Sequence, residues 1–73
     1  MRSQCIYSQV MMQMYMKGWN MRDLAEEAGL SYVSLRRKLR GESPVMLDEA
    51  FSIRKALQVQ MPLDALFEKR VAV

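Results

Sequence analysis

Seventy-three residues suit one domain, near the lower size at which a single apolar core holds a fold, and 51% hydrophobic content excludes a disordered chain. The formal net charge of +3 is compatible with an anionic partner but does not require one. One cysteine, Cys5, rules out an intrachain disulfide, and the absence of histidine removes both the usual zinc ligand set and the commonest general base, so neither a metal nor a cofactor nor an enzymatic centre is expected.

No apolar run approaches the ~18 residues of a membrane span, and Ser3, Gln4, Ser8 and Gln9 interrupt what would be the apolar part of a signal peptide. The expected compartment is the cytoplasm, with no membrane contact and no small-molecule substrate. A single domain over residues 1–73 is expected, and the first predicted helix covers 3–17, with Gly18 as its C-terminal cap. Tyr7, Val10, Met11 and Met14 recur at helical spacing and form the inward stripe. Cys5, Met12 and Met16 fall on the opposite face. Single exposed apolar residues need no explanation, but three on one face are expected to mark contact with a second subunit or another partner.

The next stretch reads as two short helices around a glycine. Asn20 is a good N-cap for a helix over 21–28, with Asp23 three residues on to reach back. Trp19, just before the cap, is placed to pack on Leu24. Leu24, Ala25 and Ala28 face inward; Arg22, Glu26 and Glu27 face water. Gly29 permits the positive φ of a corner, Leu30 returns to the core, and Ser31 caps a third helix over 32–40. In that helix Leu35 and Leu39 share the inner face, with Tyr32 near its edge. Val33, Arg36, Arg37 and Arg40 share the outer one. Arg36, Arg37, Lys38 and Arg40 lie within five residues with no acid among them. A basic cluster is either a solvated face or a nucleic-acid contact; one shared ridge favours the contact.

Gly41 ends the third helix and residues 42–44 form a loop. The fourth helix is predicted over 47–58, with Leu47, Ala50, Ile53, Ala56 and Leu57 inward and Phe51 partly buried. Met46 is a poor cap for it. The adjacent Asp48 and Glu49 read as partners of the helix dipole rather than as a catalytic pair. Pro62 opens a fifth helix over 62–67, whose Leu63, Leu66 and Phe67 close the core. A tail over 68–73, with Val71 and Val73, frays or extends along a partner.

The order W-N-x-x-D-L-A-E-x-A-G-L-S, then S-L-R-R-K-L-R-G, P-x-x-L-D-E-A and P-L-D-A-L-F resembles the Cro/C1-type helix-turn-helix family of phage and bacterial repressors. The resemblance runs from Val10 to Phe67 and lies in the spacing rather than in any one dipeptide. It implies an all-α, five-helix, lambda-repressor-like domain with the motif in helices two and three. It implies double-stranded DNA as partner, a homodimer, and transcription regulation by operator occupancy. Carried over by position, Tyr32, Val33, Arg36 and Arg37 are the base-reading residues. Phosphate contacts fall on Asn20, Met21 (through its backbone N–H), Ser31, Lys38, Arg40 and Ser43. Family members often carry a polar residue where this chain has Tyr32 and Val33. The alternative is an antitoxin or protein-interaction adaptor on the same fold, with the outer-face methionines as its working surface.

Overall fold

The computed structural model describes residues 5–69. Among the described residues the chain is all-helical, with five helices: α1 Ser8–Lys17, α2 Met21–Ala28, α3 Tyr32–Leu39, α4 Leu47–Leu57 and α5 Leu63–Leu66. None is long and apolar enough to cross a membrane.

The helices pack around one core because each carries an apolar stripe it cannot bury alone. α2 packs most extensively on α4 and also on α3, while α5 bridges α1 and α4. Val10, Leu24, Leu35, Leu39, Ile53, Leu57 and Leu66 are fully enclosed, one or more from every helix. Tyr7 and Met14 are buried with them, and Met11, Trp19, Ala28, Leu30, Ala56 and Phe67 pack around the margin. The phenyl ring of Phe67 meets Tyr7 edge to face at 5.3 Å between centroids. Burial, with Cys5 adding to it, raises the Tyr7 phenol above its ordinary value.

Four details depart from the pattern read in the sequence. α1 begins at Ser8, not at residue 3, and residues 5–7 are not helical; residues 3 and 4 lie outside the described residues. Ile6 N–H donates to the Leu39 carbonyl at 2.8 Å, and Tyr7 forms an isolated antiparallel bridge with Lys69. Those distant partners satisfy the backbone in place of a further helical turn. Cys5 consequently lies in the core, 6% exposed, with its thiol donating to the Tyr7 carbonyl at 3.3 Å. It is not on the outer face of α1, and a small apolar thiol is well suited to such burial. Leu47, expected inward, is 67% exposed. It is the first residue of α4, and helical side chains lean toward the N-terminus, so its side chain overhangs the end of the packed layer. α3, α4 and α5 also each end one residue earlier than predicted, and α5 begins one residue later. Gln58 is the C-cap of α4, and Pro62 and Phe67 flank a four-residue α5. Of the tail, Val71 and Val73 lie outside the described residues.

Candidate nucleic-acid interface

The second and third helices are held by local chemistry at both ends. The Asn20 side chain accepts from Asp23 N–H at 2.9 Å, and the Asp23 carboxylate accepts from Asn20 N–H at 2.9 Å, a reciprocal capping box. At the other end Gly29 takes a left-handed conformation, φ 73°, and the Leu30 N–H returns to the Ala25 carbonyl at 2.9 Å. Ser31 then caps α3 by accepting from Ser34 N–H at 3.0 Å. Only Gly29, Leu30 and Ser31 separate the two helices. Ala25, buried and small, lets the pair approach.

Clamped in this way, α3 divides cleanly. Leu35 and Leu39 are wholly buried, while Val33 is 62% exposed and Arg36 and Arg37 lie in solvent beside it. Among the described residues Arg36 has no ion pair. Arg37 approaches Glu42 only loosely, Nε to Oε1 3.9 Å. Toward the C-terminal end the ridge changes character. Arg40, the C-cap, is half-buried and pairs with Glu42 at 3.2 Å. Lys38 turns away altogether: its ammonium lies 3.5 Å from Glu49 of α4 and its side chain is 14% exposed. That places Lys38 apart from the Val33–Arg36–Arg37 surface, as a strut between α3 and α4. Glu49 also accepts from Met46 N–H at 2.9 Å, so the acidic start of α4 serves as a cap and an ion-pair partner.

The remaining expected contacts are mixed. Asn20 and Ser31 are exposed, each with its side-chain oxygen already accepting a capping hydrogen bond. Met21 packs its side chain on the core, and as the first residue of α2 its backbone N–H has no acceptor within the helix. Ser43 is half-buried in the loop before α4. Tyr32, at the first turn of α3, rests on the core margin, and the Arg22 guanidinium lies over its ring at 4.2 Å. Sequence reading placed Arg22 simply in water. Nothing in residue spacing pairs positions on different helices, so that contact emerges only from the folded chain.

A second exposed surface lies on α1. Met12 is 52%, Tyr15 85% and Met16 71% exposed, so this one-sided stripe is solvated apolar surface rather than core. Cys5 is absent from it and Tyr15 takes its place. Ser8, Met11, Met12 and Tyr15 line a shallow apolar depression there. No family model matches this chain, and neither does any curated protein or solved structure.

Proposed function

We propose that this chain is a sequence-specific, double-stranded DNA-binding transcription regulator of the cytoplasm. In this reading α2 and α3 are a helix-turn-helix in a lambda-repressor-like arrangement. The helix α3 enters the major groove and α2 crosses the backbone. The observation that carries it is the Val33–Arg36–Arg37 surface. It combines the Arg36 guanidinium, the loosely paired Arg37 guanidinium and one apolar side chain on a helix fixed from behind by Leu35 and Leu39. An arginine fork matches guanine O6 and N7, and a valine matches a thymine methyl. Tyr32 meets a base edge or a phosphate. In this reading Asn20, the Met21 N–H, Ser31, Arg40 and Ser43 position the duplex without reading it. Two copies of the chain on a palindromic operator would double so small a contact set.

Selection of bound duplexes from a random pool tests the reading. A recovered palindromic consensus is the expected outcome; retention of no duplex, or of all duplexes equally, refutes sequence-specific regulation. Affinity for the selected site should fall with salt, with a log–log slope of about −0.9 per phosphate neutralised.

One observation favours a second reading, that of an adaptor or antitoxin-type interaction module. The exposed Met12, Tyr15 and Met16 are suited to another protein. That reading gains if the chain fails to retain DNA.

A further inference from the structure

Arg22 lies outside the set of residues that sequence spacing points to, yet it has a specific aromatic neighbour on the next helix. Its guanidinium carbon is 4.2 Å from the centre of the Tyr32 ring, closer than the Lys17–Trp19 pair at 5.2 Å or the Arg54–Phe51 pair at 5.3 Å. Tyr32 is itself seated on the core margin at the start of α3. The core therefore fixes the ring, and the ring holds the guanidinium. Among the described residues Arg22 has no carboxylate partner. A guanidinium stacked on an aromatic face keeps its N–H donors free, because they lie in its plane. The stack also reduces the side-chain freedom that a solvated arginine loses on binding.

We infer that Arg22, held by the Tyr32 ring, is a phosphate-contacting residue of the DNA interface. Tyr32 acts through it as a positioning residue, whatever its own contact with the duplex. The inference rests on the DNA reading above. It joins α2 to the start of α3 at the surface where a duplex backbone would meet the edge of the groove.

The test uses the full chain and a duplex recovered from the random pool. Affinity and its salt dependence are measured for the wild type, Arg22→Ala, Arg22→Lys, Tyr32→Leu and the Arg22→Ala/Tyr32→Leu double variant, with thermal melting as the check on folding. Arg22→Ala should weaken binding about tenfold across all sequences and reduce the magnitude of the salt slope by about one. Arg22→Lys should keep the slope but lose part of the affinity, since an ammonium has no planar fork. In the double variant the two losses should fall short of their product, because Tyr32→Leu already releases Arg22. A slope unchanged by Arg22→Ala overturns the phosphate contact, and losses that simply multiply overturn the positioning by Tyr32. Failure of the wild type to retain any duplex refutes the DNA reading and this inference with it, whereas retention with an unchanged slope refutes the inference alone.

Discussion

Arg36 and Arg37 are adjacent in sequence but differ in their neighbours. Arg36 has no carboxylate partner among the described residues, while Glu42 lies 3.9 Å from Arg37 and 3.2 Å from Arg40. Under the proposed function Arg36→Ala should cost about 1–3 kcal/mol of operator affinity and relax preference at one base position. Arg37→Ala should do the same at a second position if it reads a base. If it weakens all duplexes equally, Arg37 is a phosphate contact. Glu42→Gln should strengthen binding by up to about 1 kcal/mol, the upper end for an exposed ion pair, by releasing both arginines. A weakened Glu42→Gln complex would show instead that the carboxylate orients them productively. A backbone contrast gives a prediction that does not depend on DNA. Gly29 and Gln58 both close helices with positive φ, 73° and 60°. A Cβ on Gly29 would meet nothing within 4 Å, so Gly29→Ala carries only the conformational penalty of the left-handed region, about 1–2 kcal/mol. Gln58→Gly should relieve the same penalty and stabilise by roughly 0.5–1 kcal/mol. Denaturant unfolding of the two variants should move in opposite directions, and a destabilised Gln58→Gly chain would contradict the account.

At the scale of elements, the pair α2–α3 depends on its caps more than a longer hairpin would, because each helix has only eight residues. Asn20→Ala removes the acceptor for the Asp23 N–H and should cost about 1 kcal/mol of stability. Asn20→Asp should restore most of it, and equal melting of all three chains would show that the cap contributes nothing. These elements were legible in the sequence for a physical reason: Asn20, Asp23, Gly29 and Ser31 act on backbone groups within a few residues of themselves. The inner stripe of α3 was legible likewise, since Leu35 and Leu39 follow from helical periodicity alone. What could not be read depended on residues far apart in the chain. The start of α1 is set by Ile6 reaching Leu39 and Tyr7 reaching Lys69, and this carries Cys5 inward. Helical spacing left Lys38 off the ridge of Val33, Arg36, Arg37 and Arg40, but only the approach of α4 assigns it to Glu49. Leu47 fitted the apolar stripe of α4, but periodicity does not show where the core ends.

For the whole molecule, the proposed regulator carries its basic ridge on α3 and its exposed apolar stripe on α1. If the stripe joins two copies, Met12→Glu with Met16→Glu should convert a dimer to monomers in sedimentation, because four carboxylates would be brought into one symmetric interface. The isolated fold should tolerate both changes. Met12 and Met16 are 52% and 71% exposed, and substitutions at such positions usually shift stability by no more than about 0.5 kcal/mol. Operator affinity should fall together with dimerisation, because the second half-site is then no longer bound by a linked partner. An unchanged dimer would place the interface elsewhere. The apolar groove formed by Val45, Leu47, Leu63 and Phe67 beside α5 is then the surface to mutate next. A chain that is monomeric before substitution, yet loses a protein partner when Met12 and Met16 are changed, would turn the assignment to the adaptor reading. Sedimentation and duplex binding measured on the same two chains separate these outcomes.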